Sequence, residues 1–302
     1  MLEQPPEKRD WLKPLLGAFV CGLLFYVIFS ITSGIIAFFG KVLVGVTLAT
    51  LLSAALASAA AMAIFESRKL TDLGLAFREG SRRNLIVGVA MGIGSAAVVM
   101  LIPVAAGAAH FEWVKDPDIS IGADLFMPIL LFCGAMGEEI VFRGFIMQYL
   151  ARGWGKWAGV IAAALFFGLL HTGNPGATWL GTLNTALFGI LFGVAVLRTH
   201  ELWLPVGMHF GWNVALPFLG ATLSGLTIRV TGYEWKWNTG DLSHEYLSGG
   251  AYGPEASLLC TGIIAVLLAV LWKIPLYKGW AWLLDAPAGE APESEAELPP
   301  VS

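Results

Sequence analysis

Charged residues are scarce in this sequence. Of its 302 residues, 13% are charged and 57% are hydrophobic, and the mean hydropathy is +0.72. Soluble domains carry about 25% charged residues, so this composition excludes an ordinary water-soluble globular protein. The basic residues form no cluster of the kind that binds nucleic acid. We therefore expect an integral membrane protein whose partners are lipid and a substrate, with no nucleic acid among them.

Cysteine is equally scarce, and several well-known protease signatures are missing. Cys21, Cys133 and Cys260 lie in separate apolar runs, which excludes a zinc knuckle and a disulfide framework. The sequence contains no H-E-x-x-H zinc motif, no G-x-S-G serine motif and no G-x-G-D aspartyl motif. Any hydrolytic chemistry must therefore rest on a different set of residues.

Long apolar windows are abundant. A window of about 20 apolar residues is long enough to cross a bilayer, and the sequence holds eight: 14–39, 42–65, 84–109, 124–150, 156–172, 178–198, 202–222 and 256–275. We predict an all-α polytopic membrane protein with about eight transmembrane helices. Helices four to seven are expected to form the bundle that carries the candidate site.

Composition divides the chain into five segments. These are N-terminal transmembrane helices with a charged loop (1–123), a core (124–222), an extracytoplasmic loop rich in aromatic residues (223–255), a last transmembrane helix (256–275) and an acidic tail (276–302). Because acidic residues and proline dominate the end of the chain, we predict that the tail is disordered.

The basic residues predict an orientation. With the N-terminus in the cytoplasm, thirteen Lys and Arg residues fall on the inside and four on the outside. Cytoplasmic loops carry an excess of Lys and Arg, so both termini are predicted to be cytoplasmic. The expected location is the cell membrane of a bacterium or an archaeon.

Glycines spaced four residues apart recur in the predicted spans. Small residues at this spacing let helix backbones approach closely. They predict a tightly packed bundle, and the pairs are Gly88 with Gly92, Gly155 with Gly159, Gly189 with Gly193, and Gly207 with Gly211.

Two adjacent glutamates, Glu138 and Glu139, lie inside the fourth span. A carboxylate at the bilayer centre costs roughly 2.5–3.5 kcal/mol and is tolerated where it faces protein or a water-filled cavity. Glu139 and Arg143 are four residues apart, so their side chains share a helix face and are predicted to pair. The Glu138 side chain points about 100° away from that of Glu139 around the helix. It does not pair with Arg143 and is available for another role.

Further polar groups occur at membrane depth on two other spans. His171 ends the fifth span and shares a face with Phe167, whereas His209 and Asn213 share a face of the seventh. Glu138 and His171 lie about 21–22 Å above the cytoplasmic ends of their helices, and His209 is shallower at about 10 Å. We predict one common site near mid-depth.

A single intramembrane histidine or asparagine often serves only as a hydrogen bond between helices. We predict that role for Asn184 in the sixth span. A structural role does not explain five polar groups on three helices, because the free-energy cost of burying all five at membrane depth is too high for packing alone. Histidines 110, 200 and 244 fall in predicted loops, where a solvated side chain needs no further role.

The motifs, taken in order, resemble a known family. They are E-E-x-x-x-R (Glu138, Glu139, Arg143), F-x-x-x-H (Phe167, His171) and H-x-x-x-N (His209, Asn213). On successive membrane helices this order resembles the CPBP family of CAAX prenyl endopeptidases and bacteriocin-processing or Abi proteins, over about residues 124–218. The resemblance implies an intramembrane endopeptidase that acts on a peptide or protein substrate, prenylated for the best-known members.

This resemblance implies that the first glutamate and the two histidines carry out the hydrolysis. We predict Glu138 as general base, His171 as the residue that orients the water, and His209 and Asn213 as donors to the oxyanion. Glu139 with Arg143 would hold the helix and orient Glu138. Phe167 would wall the substrate pocket.

The cofactor and the substrate stay open at this point. Glu138, His171 and His209 could hold Zn²⁺ with a position left for water, but no ligand motif of established spacing is present and asparagine is a poor zinc ligand. CAAX-type cleavage and leader-peptide processing are both compatible with the motifs. A non-proteolytic Abi-type immunity or scaffold protein is the alternative, and a transporter with a carboxylate–histidine relay is a further one.

Overall fold

A computed structural model describes residues 11–38, 42–114, 121–238 and 245–286, and helices dominate it. In chain order the helices are α1 (Leu12–Phe38), α2 (Val42–Glu66), α3 (Glu79–Ala105), α4 (Ile121–Glu139), α5 (Met147–Trp154), α6 (Lys156–Leu170), α7 (Trp179–Thr199), α8 (Trp203–Phe218), α9 (Glu245–Ser248), α10 (Leu258–Lys273) and α11 (Trp282–Asp285). A two-stranded antiparallel sheet joins β1 (Ala109–Trp113) to β2 (Tyr233–Trp237).

The all-α membrane architecture is confirmed. By length and composition, six helices among the described residues can cross a membrane, and they correspond to the first six predicted spans. The seventh and eighth predicted spans correspond to α8 and α10, which have 16 residues each. Such a helix is about 24 Å long, whereas the hydrocarbon core is about 30 Å thick.

The predicted third span and the aromatic insert differ from the structure. Helix α3 ends at Ala105, and the chain then forms β1, whose Ala109 lies opposite Trp237 of β2. We predicted no strand in either segment. The pairing satisfies backbone groups of the insert that would otherwise lack partners, and the rings of Trp113 and Tyr233 meet edge to face at 5.0 Å. Residues 239–244 of the insert lie outside the described residues.

The fourth predicted span is interrupted just after its two glutamates. Between α4 and α5, residues Ile140–Ile146 form a π-helical segment. Such segments leave backbone carbonyls without the regular helical donor, and they are frequent at functional sites. Here Ser58 of α2 donates to the carbonyl of Ile140 at 3.4 Å, and the Gln148 amide donates to the carbonyl of Arg143 at 3.0 Å.

Helices α3 and α8 pack backbone to backbone, which is the close approach that the glycine spacing predicts for the bundle without naming the partners. A Cβ atom added at Gly92 would lie 2.3 Å from the carbonyl oxygen of Met208, and one at Gly211 would lie 2.5 Å from that of Val89. Only glycine fits at such distances. The contact fixes the position of α8, which carries His209.

This packing gives a first testable prediction. Gly92→Ala should destabilise the protein by about 1–3 kcal/mol, because the new methyl group forces the two helices apart. Gly94→Ala on the same helix is the matched control, since nothing lies within 4 Å of its added Cβ. Thermal unfolding in detergent measures both, and equal melting temperatures for the two variants would contradict the packing described.

The prediction of a disordered tail over 276–302 is wrong for residues 276–286. Trp282 is buried, and its indole donates to Glu66 at 2.8 Å while the Arg68 guanidinium lies 3.7 Å above its ring. Asp285 meets His200 at 2.6 Å, so His200 is not the solvated loop residue we expected. The composition argument rests on the last 18 residues, and the predicted tail extended it back over Trp280 and Trp282. Residues 287–302 lie outside the described residues.

Candidate active site

A buried ion pair anchors the site. Glu139 and Arg143 are 0% and 1% exposed, and the guanidinium Nη1 lies 3.1 Å from the carboxylate Oε1. This is the contact that the spacing of the two residues predicts. The guanidinium also lies 4.1 Å above the ring of Phe167, a cation–π contact that is strengthened where water is excluded.

Glu139 has a second partner that the sequence did not reveal. Nδ1 of His209 lies 2.9 Å from the same Oε1 atom of Glu139. An imidazole nitrogen that faces a carboxylate at this distance donates to it, which fixes the orientation of the ring. Glu139 therefore links Arg143 of the π-helical segment to His209 of α8, two residues 66 positions apart in the printed sequence.

Glu138 faces the opposite ring nitrogen of His209. Its Oε2 lies 3.8 Å from Nε2, which is beyond hydrogen-bond distance. The same oxygen has no hydrogen-bond partner among the described residues, although the side chain as a whole is 31% exposed. This oxygen is itself buried, and the exposed part of the side chain lines the cavity. A carboxylate held without a hydrogen-bond donor can accept a proton from a water molecule.

His171 is oriented by its own helix. Its Nδ1 lies 2.8 Å from the backbone carbonyl oxygen of Phe167, and the two rings lie 4.5 Å apart. Because a carbonyl oxygen only accepts, Nδ1 carries the proton and Nε2 of the neutral ring keeps its lone pair. The backbone carbonyl four residues earlier on the helix thus fixes the tautomer of the neutral ring.

The predicted site residues meet at one cavity of about 250 Å³. Glu138, Phe167, His171, His209 and Asn213 all line it, whereas the buried Glu139 and Arg143 lie behind its wall. The structure therefore brings together every predicted site residue, five at the surface of the cavity and two in support. Their roles in a reaction stay predictions.

The cavity has a wall that sequence reasoning missed. Glu255 and Ser224, from the two ends of the insert between α8 and α10, line it as well. Both Ser224 and the indole of Trp212 donate to the Glu255 carboxylate, and burial raises the pKa of Glu255 to about 7 while these donors oppose the rise. A single acid before an apolar run is a weak signal, because it equally suits a helix N-terminus.

Asn184 plays the structural part predicted for it. Its amide donates to the backbone carbonyls of Glu255 and Ser257 at 2.8 and 2.9 Å, and it accepts from Thr261 at 2.7 Å. Helix α7 is thereby tied to the start of α10, which places Glu255 at the cavity.

The suggested zinc ligands do not form a ligand set. Across the described ranges, no three His, Cys, Asp or Glu side chains are placed so that they could hold a metal ion. Glu138 and His209 approach each other, but His171 does not complete a group with them. The cysteines are free and do not line the cavity. We therefore derive no step of the reaction through a metal.

The fold and this cavity define a class: a polytopic membrane protein with a carboxylate–histidine site inside its helix bundle. Residues 120–215 match the family model described as Rce1-like, type II CAAX prenyl endopeptidase. The match covers about a third of the chain, includes all the motif residues and is consistent with the CPBP resemblance. It implies a membrane protease of the CAAX type that acts on a peptide or protein substrate. No curated protein matches the chain.

Proposed function

We propose that this protein is an intramembrane endopeptidase that hydrolyses a peptide bond with a water molecule activated by Glu138. The observation that carries the proposal is the cavity that Glu138 shares with His209 and Asn213. In it the Glu138 Oε2 atom lies 3.8 Å from Nε2 of His209 and has no hydrogen-bond partner among the described residues. The family match supports a protease in general, and the catalytic type proposed here rests on this geometry.

The reaction follows from the positions of these groups. Glu138 takes a proton from the water while the water oxygen attacks the carbonyl carbon of the peptide bond. His171 orients that water through the lone pair on its Nε2. Negative charge then develops on the former carbonyl oxygen, where the Asn213 amide donates a hydrogen bond. Glu138 returns the proton to the leaving nitrogen as the C–N bond breaks.

His209 contributes to the oxyanion in its protonated form. The neutral ring carries its proton on Nδ1, toward Glu139, so Nε2 donates only when the ring is an imidazolium. Glu139 stabilises that cation. With two carboxylates against Arg143 and the imidazolium, the cluster has no net charge, which lowers the cost of burying it. We assign Glu139 and Arg143 to positioning.

Cleavage assays with a chelator test this proposal. Purified protein in detergent or liposomes, given candidate CAAX-type and leader-type peptides, should cleave an internal bond, and a zinc chelator should leave the rate within about twofold. Metal analysis of the active preparation is the control. Loss of activity on chelation, restored by zinc, would replace the glutamate-only mechanism with a metalloprotease. No cleavage, together with solute or proton flux in liposomes, would indicate a transporter.

A further inference from the structure

The candidate active-site cavity is too small for a peptide. Its volume of about 250 Å³ lies below the roughly 300–1,000 Å³ of pockets that take drug-sized ligands. His209 and Thr185 both line the cavity, and each is only 8% exposed. A peptide that extends to both sides of a scissile bond needs at least the space of such a ligand. One wall of the cavity must therefore move before a peptide binds.

Most of the wall belongs to helices that cannot separate without losing close backbone contacts. A Cβ atom added at Gly137 of α4 would lie 2.7 Å from the backbone nitrogen of Leu51 in α2. One added at Gly189 of α7 would lie 2.7 Å from the Cα atom of Ala164 in α6. Outside the helices and the turn after α6, the described lining residues belong to the insert between α8 and α10, and they are Leu223, Ser224, Leu226, Ile228 and Glu255.

Residues 223–228 of the insert form a tight turn at the cavity, and we call them the lid. The backbones of Leu223 and Leu226 exchange two hydrogen bonds of 2.9 and 2.8 Å. Between them, Ser224 and Gly225 have φ angles of 49° and 83°, the two positive values that a hairpin turn of type I′ requires. Leu226 is 45% exposed. The lid is thus a small unit with its own backbone bonds, and it can move as one piece.

The Glu255 carboxylate holds the lid to the helix bundle. Its Oε1 accepts from the Ser224 hydroxyl at 3.1 Å, and its Oε2 accepts from the backbone N–H of Ser224. Glu255 itself is fixed to the bundle, because Trp212 of α8 donates to its Oε1 at 3.2 Å. Asn184 of α7 also donates to its backbone carbonyl at 2.8 Å. The lid and the bundle therefore meet at the contact between Ser224 and Glu255.

Other contacts of the lid restrain it less. The N–H of Gly225 donates to the backbone carbonyl of Tyr252 at 2.9 Å, and a bond between neutral groups contributes less than one to a charged group. Leu223 is 7% exposed, but it lines the cavity, so an apolar side chain of an entering peptide can cover the surface that it loses. The charged acceptor is the main restraint on the lid.

We propose that the lid is the movable wall of the candidate active site and that Glu255 is the latch that keeps it closed. A peptide then reaches Glu138 after Ser224 has separated from Glu255. The entry of a peptide rests on the proposed function, whereas the lid and the latch do not. Loops that close over a site and open for the substrate are common in enzymes. Glu255 is a positioning residue in this proposal, because it acts through the lid.

Cysteine labelling measures the opening of the lid. Thr185→Cys places a thiol on the cavity lining, and a bulky maleimide is applied to the purified protein at pH 8, above the pKa of about 7 of Glu255. Site-resolved mass spectrometry follows position 185 together with native Cys21, which is 0% exposed and does not line the cavity. Glu255→Gln should raise the labelling rate at position 185 by about tenfold or more, because the amide replaces one acceptor oxygen of the latch by a donor. The rate at Cys21 should not change, and the control Glu112→Gln, on β1 outside the cavity, should change neither rate.

Hydrogen exchange adds a test that needs no substitution. In the unmodified protein the amides of Ser224 and Gly225 should exchange faster than that of Phe188 in α7, which lines the same cavity, because the lid opens locally while the helices stay packed. Exchange at Ser224 as slow as at Phe188 would overturn the lid, even where Glu255→Gln does not fold.

The labelling experiment has three further outcomes that would contradict the proposal. Fast labelling at position 185 with the latch intact would show a cavity that is already open. An unchanged rate in folded Glu255→Gln would remove Glu255 from the role of latch, and an equal rise at Cys21 would show a general loosening of the fold in its place. Neither labelling nor exchange requires cleavage, so a failure of the lid and a failure of the proposed function are separate results.

Discussion

Glu138→Gln is expected to abolish peptide hydrolysis while the fold survives. An amide cannot take a proton from water, and a general base contributes about 10²–10⁴-fold to the rate. The side chain is 31% exposed and its Oε2 has no hydrogen-bond partner among the described residues. Replacement by the isosteric amide therefore removes no hydrogen bond between Glu138 and another described residue. Cleavage rates and melting temperatures of the same preparation measure the two effects separately.

The control for this variant is Glu112→Gln, which removes a carboxylate that is 48% exposed and lies outside the cavity. It should retain both activity and stability. Full hydrolysis by Glu138→Gln would remove Glu138 from the role of base. A cellular phenotype that survives in Glu138→Gln would favour the non-proteolytic scaffold alternative.

Breaking the buried ion pair is expected to have the largest effect on stability. Glu139→Leu leaves the Arg143 guanidinium, 1% exposed, without its carboxylate. Removal of one partner of a buried pair costs about 3–5 kcal/mol, whereas replacement of both by apolar residues is often neutral. The double variant Glu139→Leu, Arg143→Met should therefore recover most of the melting temperature that Glu139→Leu loses.

Activity should not return with stability in the double variant. Glu139 also accepts from Nδ1 of His209 at 2.9 Å, and leucine cannot replace that acceptor. Without it the ring loses its orientation and the charge that stabilises the imidazolium, so kcat should stay at least about 100-fold low, as for loss of an oxyanion donor. A stable and fully active double variant would show that the pair serves packing alone.

The sequence predicted those contacts of the candidate site in which both partners lie four residues apart along the chain. Glu139 with Arg143 and Phe167 with His171 are four residues apart, and helix geometry alone places such residues on one face. The contact between Glu139 and His209 was not predicted, because helical spacing says nothing about which face of one helix meets another. Ser224 and Glu255 were missed because a polar insert offers no periodicity from which to infer a path back to the bundle.

The orientation in the membrane stays a prediction based on the distribution of basic residues.

The ordered segment 276–286 could have been foreseen from its local composition, since Trp280, Trp282 and Leu283 are apolar enough to be buried. They were missed because the composition of residues 285–302 was extended back to residue 276. The strands β1 and β2 are five residues each, and such short elements depend on a partner from a distant part of the chain.

The sequence by itself determined the membrane class, the main spans and the residues that the structure brings together at the candidate site. It could do so because bilayer thickness sets the length of an apolar run and because charges at membrane depth are too costly to persist without a role. Only the tertiary structure decided that Glu139 joins Arg143 to His209, that α3 and α8 meet through glycine, and that Glu255 closes the cavity. These contacts join residues far apart in the chain, and they depend on how helix surfaces fit together, which no local pattern encodes.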